Sequence, residues 1–321
     1  MDMVEHATPS FLQLFLPDAA AVRDELALGL RAAPASVAPK FLYDVLGSRL
    51  FDAITELREY YPTRTERAIF DKHGAEIAAA IGAGQVLVDL GAGGCAKAAR
   101  LFPLLSPAQY VAVDISVDFL RRALAALQRE HPGLPMLGLG MDFSHELSLP
   151  AADRGGARTL FYAGSSIGNF DAEAALRFLR RVHEACQGGQ LLIGVDLVKD
   201  KAVLEAAYDD ALGVTAAFNL NLLRHANALL GADFDERQWA HVALFNEAES
   251  RIEMHLQARD ELVVRWPGTE RRFAMGERIH TENSYKYRQR DFESLLRDAG
   301  FAASRCWTDA RAWFAVFVAQ A

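Results

Sequence analysis

One strand-to-turn segment constrains the fold of this chain more than any other. The apolar run Val86–Leu90 is typical of a buried strand, and it ends in the glycine-rich turn Gly91–Gly94. Glycines let the backbone turn tightly and let a flat ligand approach main chain that carries no side-chain bulk. A second buried run, Tyr110–Asp114, ends in a carboxylate that can accept hydrogen bonds from both hydroxyls of a ribose. The two runs together predict a site for an adenosine-containing ligand at the strand ends of an α/β sheet.

The spacing of the glycines narrows the choice of ligand. A dinucleotide fingerprint needs G-x-G-x-x-G, whereas this turn has Asp89 before Gly91 and Lys97 a few residues after it. The chain has no Gly-Lys-Ser/Thr string, which argues against a P-loop nucleotide site. The pattern Asp-x-Gly-x-Gly resembles motif I of the class I methyltransferases that use S-adenosylmethionine (SAM), a ligand without phosphate. We therefore expect SAM as the cofactor.

The order of predicted elements favours the same fold. From about residue 84, apolar strand runs alternate with helical patterns such as Val117–Glu130, which predicts a parallel, doubly wound sheet. Phe301–Trp307 and Ala312–Ala319 are too close for a helical crossover, so they must form an antiparallel hairpin. Seven strands ending in such a hairpin form the Rossmann-like sheet of class I SAM methyltransferases. The seven predicted strands are 86–90, 110–114, 135–140, 159–164, 190–195, 301–307 and 312–319.

Two segments fall outside this alternation. We predict a SAM-binding core from residues 64–197 and 289–321, and a second, α+β domain from residues 1–63 and 198–288. The insertion begins with helical sequence over Lys201–Leu230 and continues with strand-like runs near 239–246, 250–258 and 261–266. We expect this second domain to bind the substrate and to act as a lid.

Composition limits the class of partner. Of the 321 residues, 51% are hydrophobic and 24% charged, which is typical of a globular protein. The formal net charge of −8 argues against nucleic acid or an anionic membrane as the main partner. Cys95, Cys186 and Cys306 are odd in number and far apart, so they predict neither disulfides nor a metal site. We expect a cytoplasmic monomer that uses no metal and acts on a small molecule.

Four further segments carry a family resemblance. They are Lys40–Phe51, Glu59–Glu66 with the string Tyr-Tyr-Pro-Thr-Arg, Gly164–Phe170 with Gly-Ser-x-Ile-Gly-Asn, and Ile279–Tyr287 with Thr-Glu-Asn-Ser-Tyr-Lys-Tyr. Together with the core, they resemble the histidine-specific methyltransferase family of ergothioneine biosynthesis, from about residue 10 to the C-terminus. The resemblance implies that SAM trimethylates the α-amino group of L-histidine to give hercynine, the first step of that pathway. It also implies that the ligands are enclosed between two domains.

The resemblance implies a set of SAM-binding residues: Tyr43, Gly91, Lys97, Asp114, Asp142 and Phe143. Lys97 would pair with the carboxylate of the methionine portion, and Asp114 would bind the ribose. Asp142 and Phe143 would bracket the adenine. The turn departs from the usual family sequence because Cys95 and its neighbour replace hydroxyl-bearing residues, which removes hydroxyl contacts but keeps the glycine and the lysine.

Five residues are implied for the substrate. Asn169 would bind the α-groups of histidine, Tyr208 its carboxylate, and Tyr60 would lie beside the imidazole. Glu282 and Ser284 would bind the two ring nitrogens. Because neutral imidazole has one donor and one acceptor nitrogen, a carboxylate and a hydroxyl can satisfy both, whereas an aliphatic side chain offers neither group. The sequence assigns no general base.

Two alternatives stay open at this point. The first keeps the fold and changes the substrate to another amino acid or to an imidazole amine; Glu282 and Ser284 argue for imidazole. The second is a catalytically silent SAM-binding protein, which would not need to retain both pockets. A dinucleotide-dependent oxidoreductase fits neither the glycine spacing nor the terminal hairpin.

Overall fold

The computed structural model describes residues 8–14, 18–144, 146–150 and 157–321. These residues form two compact units. The first contains the described residues within 1–16, 64–197 and 287–321, and the second those within 17–63 and 198–286. The sequence assigns all of 1–63 to the second domain, but residues 8–14 belong to the first unit. The part of that prediction that concerns residues 1–7 and 15–17 lies outside the described residues.

The elements are numbered along the chain. The strands are β1 (Ser10–Gln13), β2 (Ala35–Ser36), β3 (Val86–Leu90), β4 (Gln109–Asp114), β5 (Met136–Gly140), β6 (Arg158–Tyr162), β7 (Gln190–Asp196), β8 (Trp239–Asn246), β9 (Arg251–Ala258), β10 (Leu262–Trp266), β11 (Thr269–Phe273), β12 (Arg278–Tyr285), β13 (Ala303–Thr308) and β14 (Phe314–Gln320). The α-helices are α1 (Ala19–Arg31), α2 (Val45–Thr55), α3 (Tyr61–Ile81), α4 (Ala96–Ala99), α5 (Phe102–Leu105), α6 (Val117–Glu130), α7 (Ala172–Cys186), α8 (Lys201–Tyr208), α9 (Val214–Leu230) and α10 (Gln289–Asp298). Short 3₁₀ helices cover Pro39–Leu42, Ser166–Asn169 and Glu236–Gln238.

The first unit is built on an eight-stranded sheet in the order β1-β5-β4-β3-β6-β7-β14-β13. Neighbouring strands from β1 to β7 are parallel, and β14 is antiparallel to both β7 and β13. The predicted doubly wound sheet with a terminal hairpin is therefore confirmed.

Strand β1 is an addition to the seven predicted strands. It pairs with β5 in parallel, with Ser10 opposite Leu137. The Phe11 ring covers Gly138 so closely that a Cβ on that glycine would lie 2.3 Å from it. Because this short strand has only one half-buried residue, its own sequence carries no alternation signal.

The sheet of the first unit has an apolar core on both faces. Val86, Val88 and Leu90 of β3 belong to one cluster of buried side chains, and Leu87 belongs to the other. Successive side chains of a strand point to opposite faces, so burial on both sides requires the continuous apolar runs seen in the sequence. Helix α7 adds Phe178 to the first cluster.

The second unit contains a four-stranded sheet in the order β2-β12-β9-β8 and a separate β10–β11 ribbon. The predicted helical stretch over 201–230 forms two helices, because α8 ends at Tyr208 and α9 begins at Val214. Asp210 accepts hydrogen bonds from the amides of Val214 and Thr215, at 3.0 and 2.8 Å, and so caps the second helix. Gly213 lies between the two helices and has a φ of +74°, a left-handed conformation that interrupts the helical backbone.

The helices of the described residues include none with the length and hydropathy of a membrane span.

Candidate functional site

The glycine turn after β3 exposes main chain at the end of the sheet. Gly91 and Gly93 have φ angles of +74° and +49°, in the left-handed region that favours glycine. The amides of Gly91 and Ala92 both donate to the Val113 carbonyl, at 2.9 and 3.0 Å. A Cβ added at Gly93 or Gly94 would meet no atom within 4 Å. The turn is therefore bordered by open space, as a flat ligand requires.

Asp114 lies at the end of β4, beside this turn. Its Oδ2 accepts a hydrogen bond from the Gly93 amide at 2.9 Å, and its Oδ1 accepts one from the Ser116 amide at 2.8 Å. Burial raises the pKa of Asp114, and these amide donors oppose that effect. A carboxylate has about four lone-pair positions, so two amide donors leave acceptor capacity for ligand hydroxyls.

Lys97 forms an ion pair that sequence reasoning missed. Its Nζ lies 3.1 Å from Oε2 of Glu66, whose side chain is only 4% exposed while that of Lys97 is 43% exposed. Oε1 of Glu66 accepts a hydrogen bond from the Gly164 amide at 2.7 Å. One buried carboxylate therefore connects the lysine after β3 with the loop after β6. Glu66 stands in the Glu59–Glu66 segment of the family resemblance, which was the signal available in the sequence.

Asp89 is a second buried acid near the turn. The Tyr110 hydroxyl donates to its Oδ2 at 2.8 Å. Burial raises the pKa of Asp89 to about 7, and the Tyr110 hydrogen bond and then the positive charge of Lys97 oppose that rise. Lys97 is thus influenced by two buried acids, Glu66 and Asp89.

Asp142 and Phe143, which the sequence predicts to bind SAM, follow the end of β5. Asp142 follows β5 and accepts hydrogen bonds from the amide of Ser144, at 3.0 Å, and from its hydroxyl. The Phe143 ring meets the edge of Tyr162 with centroids 5.9 Å apart. The Phe143 ring also lies 3.6 Å from the position of a Cβ on Gly91. Phe143 therefore lies close to the glycine turn.

Asn169 is the last residue of the 3₁₀ helix after β6. That helix begins after Ser165, which has a φ of +61° and whose hydroxyl accepts a hydrogen bond from the Asp196 amide at 2.8 Å. Because the carboxyl ends of parallel strands share one edge of a sheet, Asn169 lies at the same edge as the residues after β3, β4 and β5. The first unit thus brings together the predicted residues Gly91, Lys97, Asp114, Asp142, Phe143 and Asn169.

In the second unit, a β-bulge orients Glu282 and Ser284. Strand β12 pairs with β9 so that His280 faces His255 while Glu282 faces Met254, which leaves Thr281 as the extra residue. Simple alternation from Ile279 would place Thr281 and the odd-numbered residues after it on the buried face. The bulge instead turns Glu282 and Ser284 to the buried face; they are 8% and 4% exposed.

Tyr208, Ser284 and Lys286 form a hydrogen-bonded cluster in the second unit. The hydroxyl oxygens of Tyr208 and Ser284 are 2.7 Å apart. Lys286 Nζ donates to Ser284 Oγ at 2.7 Å and to Tyr208 Oη at 3.0 Å, and Lys286 is 3% exposed. The structure therefore joins two predicted substrate residues directly. It adds Lys286, which the sequence shows within the Ile279–Tyr287 segment but to which it assigns no role.

Glu282 is a buried acid in the same unit. Burial raises its pKa to about 7, and the Lys286 charge opposes that rise. A carboxylate in this environment can exist in both protonation states near neutral pH, so its hydrogen-bonding role depends on its neighbours.

Five aromatic rings of the second unit are in contact. Tyr43 packs against Phe51 and Phe218 with centroids 5.6 and 5.4 Å apart. Phe51 contacts Tyr60 at 6.2 Å, and Tyr60 contacts Tyr208 at 6.2 Å. Tyr43 and Tyr60, predicted for different ligands, are thus linked through Phe51, and Tyr60 also contacts the Tyr208 ring.

The topology and the turn define a class. A mainly parallel sheet with an antiparallel terminal hairpin, an open glycine turn and an acidic end on the next strand are the fold and cofactor site of a class I SAM-dependent methyltransferase. The residues present fit SAM, since the turn is open and Asp114 keeps acceptor capacity. The model of the histidine-specific, SAM-dependent methyltransferases matches residues 22–321, and the chain belongs to that family.

Three relatives illustrate the family. The chain is 42% identical over 299 residues to the histidine N-alpha-methyltransferase of Mycolicibacterium smegmatis, covering 91% of this chain and 92% of that one. It is 40% identical over 296 residues to the protein of the same name from Mycobacterium tuberculosis, covering 90% and 91%. It is 32% identical to ergothioneine biosynthesis protein 1 of Neurospora crassa, covering 86% of this chain and 32% of that longer one.

Proposed function

We propose that this enzyme transfers three methyl groups from SAM to the α-amino group of L-histidine, giving hercynine, the first step of ergothioneine biosynthesis. The observation that carries the proposal is the buried face of β12, where Glu282 and Ser284 lie together and Ser284 meets the Tyr208 hydroxyl. A buried carboxylate and a buried hydroxyl match the donor and the acceptor nitrogen of neutral imidazole.

We propose that the glycine turn of the first unit binds SAM. Asp114 would accept hydrogen bonds from the ribose, and Lys97 would pair with the methionine carboxylate beside Gly91. Asp142 and Phe143 would bracket the adenine. Tyr43 of the second unit would also contact SAM. The open turn and the spare acceptor capacity of Asp114 support these roles.

We propose that the second unit supplies most of the histidine site. Glu282 and Ser284 would bind the ring, Tyr60 would lie beside it, and Tyr208 would bind the carboxylate. Asn169 of the first unit would bind the α-groups. An aliphatic amino acid would leave the Glu282 carboxylate and the Ser284 hydroxyl without hydrogen-bond partners in the pocket. Such a pocket therefore rejects aliphatic amino acids.

The chemistry requires little from the protein beyond alignment. When bound, SAM supplies an electrophilic methyl group on a sulfonium. Attack needs a deprotonated amine held in line with that methyl, and such positioning can lower the activation barrier by roughly 7–11 kcal/mol. Aromatic faces such as Tyr43 and Tyr60 would favour the growing cationic product by about 0.5–2 kcal/mol.

We further propose that the enzyme works as a monomer in the cytoplasm. Its three cysteines are free thiols, two of them buried, which fits a reducing compartment.

Product mass tests the proposal directly. The purified protein is incubated with SAM and a panel of single amino acids, and each product is weighed by mass spectrometry. Methylation of histidine, with none of leucine or lysine, is the expected result. Equal activity on leucine, or none on histidine by a folded protein that binds SAM, would overturn the substrate assignment.

A further inference from the structure

Thr281 is the extra residue of the β-bulge in β12, and the proposed roles leave it unused. The pairing of β12 with β9 shifts by one residue between His280 and Glu282, so Thr281 has no residue of its own opposite it. Thr281 is buried, with 1% exposure. Its hydroxyl donates a hydrogen bond to the Met254 carbonyl of β9 at 3.0 Å. The extra residue is therefore attached to the neighbouring strand through its side chain.

A regular pairing of the two strands would give Glu282 a different neighbour. If the register at His280 continued without the shift, Glu282 would lie opposite Glu253. Side chains directly opposite each other share a face of the sheet, so the two carboxylates would lie together, and such like charges destabilise a strand pair. Glu253 is already bound to Arg251 on that face. The bulge avoids this repulsion and places Glu282 opposite Met254, on the buried face.

The Thr281 hydroxyl stabilises the bulged register. A buried backbone carbonyl that loses a hydrogen-bond donor costs free energy, because water cannot replace the donor. A valine at this position would have the same shape and would leave the Met254 carbonyl without this bond. The hydroxyl, rather than the volume of the side chain, is therefore the group that holds the bulge to β9.

We propose that Thr281 is a positioning residue for histidine selectivity: its hydroxyl fixes the bulge and so holds Glu282 and Ser284 in place for the imidazole ring. This inference rests on the proposed function. Thr281 acts through its two neighbours, since its own hydroxyl is bound to the Met254 carbonyl. Bulges next to a site commonly re-aim a side chain in this way. The selectivity of the pocket then depends on a hydroxyl that does not contact the ring.

Two substitutions separate the hydroxyl from the shape of the side chain. Thr281→Val keeps the branched shape and removes the hydroxyl, whereas Thr281→Ser keeps the hydroxyl and removes a methyl group. Loss of one buried hydrogen bond should raise the KM for histidine about three- to tenfold in Thr281→Val. The serine variant should show a much smaller rise, because it can still donate to Met254. The Kd of SAM, measured by calorimetry, should stay close to the wild-type value in both.

Thr159→Val is the matched control. Thr159 is a fully buried threonine of β6 in the first unit, and its hydroxyl has no hydrogen-bond partner among the described residues. The same chemical change there removes no hydrogen bond to the main chain. It should therefore leave both the KM for histidine and the Kd of SAM unchanged.

Two readouts distinguish positioning from a general loss of packing. In a double-mutant cycle, Thr281→Val should add little to the KM of Glu282→Gln, because the threonine acts largely through that carboxylate. Contacts to the ring are made equally in the ground state and in the transition state, so KM should rise while kcat stays nearly unchanged. Looser packing of the second unit would instead lower kcat as well. If Thr281→Val does not fold, Thr281→Ala replaces it in the same comparison with Thr281→Ser.

The outcomes separate the two proposals. A wild-type protein that binds SAM but does not methylate histidine overturns the proposed function. A wild-type protein active on histidine overturns the role of Thr281 alone in any of three cases: Thr281→Val has an unchanged KM, the valine and serine variants have the same raised KM, or Thr281→Val is fully additive with Glu282→Gln.

Discussion

Two buried carboxylates of this protein are influenced by the charge of a lysine, and the two lysines differ in exposure. Glu66 holds Lys97 at 3.1 Å while its other oxygen accepts from the Gly164 amide. Glu282 lies in the second unit and is influenced by the charge of Lys286. In the first pair the lysine is half exposed and can reach a ligand, whereas in the second the lysine is buried. Substitutions at these positions should therefore have distinguishable effects.

Lys97→Met should weaken SAM binding and also destabilise the fold. The variant loses the proposed carboxylate contact and leaves the buried Glu66 without its cation, at a cost of about 1–3 kcal/mol. Adding Glu66→Gln should restore most of the stability, because the amide is neutral and can still accept from Gly164, but it should not restore SAM affinity. Urea unfolding and calorimetry measure the two quantities. Recovery of SAM affinity in the double variant would contradict the role of Lys97.

Glu282→Gln should act on histidine and not on SAM. It replaces a charged acceptor with an amide of the same shape, so the KM for histidine should rise about tenfold or more. Steady-state kinetics with each substrate varied in turn measures the effect. Glu270→Gln, at a half-exposed acid of the same unit, serves as the control. An equal rise in the two KM values for Glu282→Gln would argue that the change is structural.

At the scale of elements, His241 of β8 supports the end of α8, where Tyr208 lies. Its Nε2 donates to the Tyr208 carbonyl at 2.8 Å, and its Nδ1 accepts from the Asn219 amide group at 2.9 Å. These two bonds select one neutral tautomer. Burial lowers the pKa of His241, and the Tyr208 carbonyl and nearby Asp209 and Asp210 oppose that effect.

This arrangement predicts an acid-sensitive contribution to stability. In the unfolded chain His241 takes up a proton near pH 6.5, while in the folded protein it does so only at lower pH, so stability decreases as pH falls below about 6.5. The wild type should therefore lose more stability than His241→Gln over the first pH unit below that value, by at most about 1 kcal/mol. Urea unfolding at pH 7.5 and pH 5.5 supplies the comparison, and equal losses would refute the assignment.

At the scale of the whole molecule, the two units contain different sets of candidate site residues. The first places polar side chains and bare main chain at one edge of its parallel sheet. The second contains the contacting rings of Tyr43, Phe51, Tyr60, Tyr208 and Phe218. We propose that these rings accommodate an amine that gains methyl groups and a fixed positive charge.

A time course tests this expectation. With excess SAM, mono-, di- and trimethylhistidine should appear in succession, and the trimethyl product should accumulate, because ring and carboxylate contacts do not depend on the number of methyl groups. Mass spectrometry at intervals follows the three species. A reaction that stops at monomethylhistidine would show that the pocket does not accept the betaine.

Much of the fold could be predicted because its signals are local. Strands buried on both faces need continuous apolar runs, such as Val86–Leu90, and Val117–Glu130 is the helix that its pattern predicts. The short connection before the last strand excludes a crossover and leaves only a hairpin. Strand β1 could not be predicted, since its pairing depends on the bare Gly138 of a strand far away in the chain.

The candidate site also has features that the sequence predicts and features that only the tertiary structure shows. The sequence by itself determined which chemical groups are present, since the glycine turn, the acidic strand end and the Thr-Glu-Asn-Ser string are readable from their order alone. Only the tertiary structure decided their surroundings: the bulge at Thr281 turns Glu282 and Ser284 to the buried face, and Lys286 meets Tyr208 from the far end of an insertion. The physical reason is that residue type and periodicity are properties of neighbours in sequence. Burial, pKa and hydrogen-bond direction depend on groups that only folding brings together.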